Sequence, residues 1–363
     1  MWAQTMANTS PPKRRTRTDS RTRAPQVRPL LARPGARFTC AGDGLCCTDA
    51  HALGPVTRKE RQQVERFRDD ATVYLPTLEA RVLRTKPDGG CVFLMPDARC
   101  GIHAEHGPEA KPDACQRFPY GLVATPDGGR ITTEHRCPCR TLGARPWIDL
   151  VEAEHALTAG RGRVDADARI GPRVRLGTRR SVSWATYREQ EGALLARLAR
   201  GEKPEAVLDA APLPALRGSD WAHVARELST YDEDTACSAA LRFAGALLAT
   251  LAGARARPVG PRPWSRWFDR AEARATDSGD AEAMLRDYVE DQLWRMDWCA
   301  YGATFAQGRA DITTRVALTR AAARRLRGEG LRDDRAMAEA LFVVELTTST
   351  SVWQDVLLAI DAG

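Results

Sequence analysis

The sequence predicts an α+β protein: a small cysteine-rich, metal-binding module with short strands, followed by a mainly α-helical domain. Two observations carry that expectation. Eight of the ten cysteines, Cys40, Cys46, Cys47, Cys91, Cys100, Cys115, Cys137 and Cys139, fall within one hundred residues, among short apolar runs broken by Gly and Pro. From about residue 181 onward, apolar residues recur at helical spacing. The 363 residues, 43% hydrophobic and 28% charged, allow two domains with sizeable cores. The expected division is a disordered basic tail over 1–37, the cysteine module over 38–145, a connector over 146–180 and the helical domain over 181–363.

The tail holds nine basic residues, Lys13 to Arg37, against the single acid Asp19, while the whole chain carries +7. The folded body is therefore close to neutral. Lacking apolar periodicity, the tail reads as solvated. No aromatic residue interleaves the basic run from Lys13 to Arg37. That removes the stacking platform of a single-strand binder and disfavours nucleic acid as a partner. No apolar stretch approaches the roughly 20 residues that span a bilayer. The start lacks the apolar core of a secretory signal, so a cytoplasmic, reducing compartment is expected, with no membrane contact.

Along the module, Thr57 and Glu60 have the spacing of a capping box, which predicts a surface helix to about Phe67. The residues from Cys91 to Leu94 read as a short strand and Pro96-Asp97-Ala98 as a turn. Cys100 to His103 then returns, so that Cys91 and Cys100 close a hairpin-like loop. Pro112 suits the first turn of a short helix carrying Cys115. The runs at Leu122 and Ile131, joined through Pro126-Asp127-Gly128-Gly129, predict a second hairpin that delivers Cys137 and Cys139. In the second half, helices are predicted around Tyr187 to Leu198, Leu241 to Leu251, Leu285 to Met296, Val316 to Leu326, Ala336 to Leu346 and Val352 to Ile360. Pro258, Pro261 and Pro263 break the region in two.

Thiolates are soft ligands for zinc and iron–sulfur clusters. Buried cysteines also serve as small hydrophobes, which accounts for Cys237 and Cys299 in the helical region but not for eight in a segment poor in large apolar residues. A disulfide framework belongs to short secreted chains. A metal supplies the cross-links that such a segment needs. A structural zinc site contributes on the order of 10–16 kcal/mol, against roughly 5–15 kcal/mol for a whole domain. Cys40-x5-Cys46-Cys47 and Cys137-Pro138-Cys139 lack the Cys-x-x-Cys pairs of zinc ribbons, and a vicinal pair suits an iron–sulfur or multinuclear site. The eight thiols serve either two four-cysteine centres or one centre with spares. His103 and His135 could complete a mixed Cys/His site, although a solvated or hydrogen-bonded role is favoured for each. Asp43 is expected to shape a Gly42-Asp43-Gly44 turn that aims backbone N–H groups at the sulfurs.

Together these residues resemble the YkgJ-type cysteine-cluster family. The likeness is carried by Phe38-Thr-Cys40-x5-Cys46-Cys47, Cys91-Val-Phe-Leu, Cys100-Gly-Ile-His103 and Pro112-Asp-Ala-Cys115-Gln-Arg-Phe118-Pro119, then a late cysteine, over roughly residues 38–140. Lys111 stands where short members usually have Arg. The resemblance implies chelation of zinc or iron. Within the family, His103-Ala-Glu-His-Gly107 and Arg136-Cys137-Pro138 are similar to the flagellin lysine N-methylase branch, as is the run from Leu285 to Leu293. That branch implies a 4Fe-4S iron–sulfur cluster and S-adenosylmethionine-dependent methyltransferase activity on surface lysines. The chain shows no Gly-rich fingerprint after a strand and no Cys-x3-Cys-x2-Cys run of radical S-adenosylmethionine enzymes. No catalytic or methyl-donor residue is assigned. Three readings result: a protein holding zinc or an iron–sulfur cluster through its eight cysteines, a protein-lysine N-methylase using that cluster, and a metal-stabilised interaction module whose helical domain binds a protein partner.

Overall fold

Strands β1 (Leu30–Ala32), β2 (Thr72–Leu75), β3 (Ala80–Leu83), β4 (Tyr120–Thr125), β5 (Gly128–Thr133), β6 (Ala168–Arg169), β7 (Arg173–Arg175) and β8 (Ser181–Ser183) form three sheets among the described residues. The computed structural model describes residues 27–361, apart from 77–78, 160–161, 256–259 and 276–278. The largest sheet has the order β1-β5-β4-β6, and β2–β3 and β7–β8 are two-stranded. The predicted hairpin is present: β4 and β5 run antiparallel, with Leu122 opposite Ile131. β1 and β6 add in parallel at its two edges.

β1 corrects the reading of the basic tail. Residues 1–26 lie outside the described residues, but the stretch to residue 37 is built into the fold. Leu30–Ala32 is a strand, and Arg33 is buried against acids of a helix more than 250 positions away. Charge density suggested a solvated segment because a local count cannot reveal a distant partner.

The module's helices are short. α1 (Arg58–Phe67) opens on the predicted capping box, with Thr57 and Glu60 exchanging side-chain and backbone bonds. Its Val64 is fully buried, so the helix packs inward on one face. α2 (Gly101–His106) follows Cys100, α3 (Asp113–Arg117) carries Cys115, and α4 (Pro138–Thr141) carries Cys139 with Cys137 as its N-cap. The segment from Cys91 to Leu94 is a tight turn rather than a strand, because the Leu94 amide donates back to Cys91 O at 2.8 Å. The loop closes as expected all the same. Leu94 bridges Cys100, and the Gly101 amide donates to Phe93 O at 2.8 Å.

The stretch 146–180 is more than a connector. It holds α5 (Leu150–Thr158), capped by Asp149, and the strands β6 and β7. The helix buries only Ala153 and Leu157 while Leu150 and Val151 are exposed, so its apolar pattern was weak in sequence.

The C-terminal region is helical, as predicted. It comprises α6 (Trp184–Ala199), α7 (Pro204–Leu208), α8 (Trp221–Ser229), α9 (Ala236–Leu251), α10 (Ser265–Arg274), α11 (Ala281–Arg295), α12 (Asp297–Ala300), α13 (Phe305–Gly328), α14 (Asp333–Thr348) and α15 (Ser351–Ala359). Met296 is the left-handed cap of α11 rather than part of it. Pro261 and Pro263 fall between α9 and α10, and Pro258 lies outside the described residues. α14 is buried almost throughout and packs on α9, α11 and α13. No helix among the described residues is long and apolar enough to cross a membrane.

Two apolar cores result. The larger joins Leu45, Val64, Leu94 and Ile102 of the cysteine-rich segment to Phe243, Phe268 and Phe342 of the helices. The smaller lies under the four-stranded sheet, around Phe38, Leu122, Ile131 and Leu157. Arg130 of β5 ties sheet to helices. Its fully buried guanidinium makes two 2.8 Å bonds to Glu191 of α6 and lies 4.2 Å from the Trp294 ring of α11. This is the planar, bidentate pairing and ring stacking for which Arg rather than Lys is suited.

Candidate metal centre

All eight cysteines named from sequence are free thiols, and six of them fall in two neighbourhoods: Cys137 and Cys139 line the smaller apolar core, and Cys47, Cys91, Cys100 and Cys115 line the larger. In one, Asp43, Cys137 and Cys139 bring a carboxylate oxygen and two sulfurs within 4.8 Å of one another, all buried. The Cys139 thiol donates to Asp43 Oδ2 at 2.6 Å, and its sulfur accepts the Ala41 amide at 3.1 Å. Cys40 is exposed, and Cys139 contributes to holding its thiol protonated. In the other set, the Cys91 amide donates to Cys47 O at 2.7 Å, which brings two distant loops together. The thiols whose charge reaches Cys47 are Cys91, Cys115 and Cys100, and those of Cys91 and Cys100 reach Cys115. Between the sets, the sulfurs of Cys46 and Cys47 stand 3.9 Å apart.

Local sequence explains this placement. Gly42 and Gly44 have φ of 70° and 87°, in the left-handed region that glycine adopts without strain. A Cβ on Gly44 would lie 3.0 Å from Ala98 Cβ, so only glycine lets the Cys46-Cys47 turn approach the turn at Ala98. Asp43 shapes the turn as expected, since its Oδ1 accepts the Leu45 amide at 2.8 Å. Its other oxygen faces Cys139, so Asp43 also belongs to the thiol group. The amide that donates to a sulfur here is that of Ala41, the residue before this turn, at 3.1 Å from Cys139 Sγ.

Burial favours the protonated form of several of these thiols. Burial pushes the Cys91 thiol up to about 12, against the opposing pull of the Phe93 amide and Lys86. A hydrogen bond from Cys139 favours the Cys137 thiolate, yet burial and the charges of Asp43, Cys46 and Cys40 outweigh it and raise this thiol to about 11. Burial also raises Cys115, with the charges of Cys91 and Cys100 adding to it. A metal must therefore displace protons from these sulfurs. Metal affinity of the apo protein is expected to rise with pH, with protons released on loading. Competition against a chelator at two pH values checks this; equal apparent affinity at both would contradict it.

The histidines have other tasks. His135 is buried and its Nε2 lies 2.8 Å from Asp291 Oδ2 of α11, so that nitrogen is engaged away from the sulfurs. His103 is exposed on α2. His51 is buried against the Phe118 ring, with centroids 5.0 Å apart.

Two supports were not visible in sequence. Arg274, at the end of α10, donates to the carbonyls of Ala41 and Gly42 on one thiol loop and to Asp97 O on another. Around Cys137 and Cys139, a buried ionic network joins Arg33, His135 and Arg140 to Asp287 and Asp291 of α11. Neither has a local signature, since the partners are distant in the chain.

No protein-family model, curated protein or solved structure matches the chain. The group of Asp43, Cys137 and Cys139 could hold a metal ion, on its donor atoms and their spacing.

Proposed function

We propose that the chain is a metal-binding protein whose cysteine thiolates hold zinc or an iron–sulfur cluster. The observation that carries this reading is the buried group of Asp43, Cys137 and Cys139, whose donor atoms lie within 4.8 Å of one another and whose Cys139 sulfur accepts the Ala41 amide. Amides at sulfur stabilise metal thiolates and tune a cluster's potential. The donor set is soft and almost wholly sulfur, which suits zinc or iron–sulfur over hard cations such as magnesium or calcium. Ten free cysteines in one chain fit a reducing, cytoplasmic setting. Lysine methylation would add an S-adenosylmethionine site and a protein substrate to the same centre, and rests on the motif resemblance.

The test compares aerobic and anaerobic preparations by colour, metal content and acid-labile sulfide. Metal in stoichiometric amount is expected in the anaerobic protein. Brown colour with iron and sulfide identifies a cluster, and colourless protein with zinc identifies a zinc site. Protein free of metal under both conditions rejects the reading.

A further inference from the structure

We infer that the eight thiols form two separate four-sulfur centres, with the vicinal pair divided between them. This rests on the metal-binding reading and assigns Cys47, Cys91, Cys100 and Cys115 to one centre and Cys40, Cys46, Cys137 and Cys139 to the other.

Three observations separate the sets. The first is the neighbours of each thiol. Besides its vicinal partner, Cys47 is influenced by the charges of Cys91, Cys115 and Cys100, whereas Cys46 is influenced by those of Asp43 and Cys40. Cys137 and Cys139 in turn have each other, Asp43 and Cys40. The second is packing. Cys47, Cys91, Cys100 and Cys115 line the larger apolar core, and Cys137 and Cys139 line the smaller core under the sheet. The third is the backbone. In one set the Cys91 amide donates to Cys47 O at 2.7 Å, and in the other the Ala41 amide donates to Cys139 Sγ at 3.1 Å.

The 3.9 Å between the sulfurs of Cys46 and Cys47 would by itself let them share one ion. Their remaining neighbours decide otherwise. The short 3₁₀ turn over Leu45–Cys47 explains how: consecutive side chains on such a turn leave in directions about 120° apart. One peptide bond can thus feed two centres. The sets abut there, since the charge of Cys46 is also felt at Cys91 and Cys115. Four thiolates per centre match the Cys₄ shell of structural zinc and of either common iron–sulfur cluster.

Metal per chain should be measured in anaerobically purified wild type, Cys40→Ser, Cys115→Ser and the double variant, with circular dichroism as a check on folding. Each single variant is expected to keep about half of the wild-type metal, and the double variant almost none. A single variant that loses all its metal would show one shared centre and overturn the division while leaving metal binding intact. A single variant that keeps the full amount would remove that thiol from its centre and overturn the assignment. Wild-type protein without metal would remove the underlying reading as well. Cobalt(II) titration of the apo wild-type chain gives a readout independent of any substitution. Saturation at about two equivalents supports two centres, and saturation at one overturns them.

Discussion

Removing the metal is expected to destabilise the protein more than any single substitution, starting in the loops that carry the thiols. Those loops, around Cys40 to Cys47 and Cys91 to Cys115, hold little regular structure. They contain 3₁₀ turns, isolated bridges and helices of five or six residues. Helices this short are not stable on their own. A structural metal thiolate site contributes on the order of 10–16 kcal/mol, comparable with the whole stability of a domain. Leu45, Leu94 and Ile102 of these loops belong to the same core as α14, so the loss spreads to the helices that pack on them. Hydrogen exchange on loaded and chelator-stripped protein checks this. Protection should fall first at the amides of residues 41–47 and 91–101 and then in α10, whose Arg274 clamps the thiol loops. Unchanged protection in those segments would show that the loops stand without a metal.

Asp291→Asn is expected to cost about 3–5 kcal/mol, the usual penalty for breaking a buried ion pair from one side. Asp291 receives Arg33 Nε at 2.5 Å, Arg140 Nη2 at 2.9 Å and His135 Nε2 at 2.8 Å, and every partner is buried. The amide would leave two guanidinium groups sharing Asp287 and Glu290. The consequence is architectural, because the partners come from the residue after β1, from the turn before Cys137 and from α4. This one carboxylate therefore pins the late cysteines to α11. Burial pushes its pKa up, but Arg33, Arg140 and His135 override that and hold it well below the usual carboxylate range. A carboxyl with a depressed folded pKa contributes stability that is present above its unfolded value, near 4, and lost as pH falls through the folded one. The gap between wild type and Asp291→Asn, read from urea unfolding, should thus be full at neutral pH and shrink in acid. A gap below about 1 kcal/mol at neutral pH would place the pair among weakly contributing surface bridges.

Features with a short-range cause were legible in the sequence. The capping box at Thr57, the hairpin around Pro126-Asp127 and the glycine turn before Cys46 each depend on residues within a few positions. Six of the C-terminal helices were visible because their apolar residues recur at helical spacing. α8 and α10 were not anticipated, and in α10 arginines and acids outnumber apolar residues. What could not be read is long-range. Nothing near Arg33 indicates that it belongs with Asp287 and Asp291, and nothing near Arg274 points to the carbonyls of Ala41 and Asp97. The cysteines were legible as candidate ligands, but the part of Asp43 beside Cys137 and Cys139 was not. Spacing gives order along the chain, whereas which core each cysteine lines is decided by the fold.

X-ray absorption at the metal edge of the anaerobically purified chain tests the central claim most directly. Thiolate binding predicts a first shell dominated by sulfur, at roughly 2.3 Å for zinc, or a sulfur shell with short iron–iron scattering for a cluster. A shell dominated by nitrogen or oxygen, or a chain that carries no metal to measure, would contradict it.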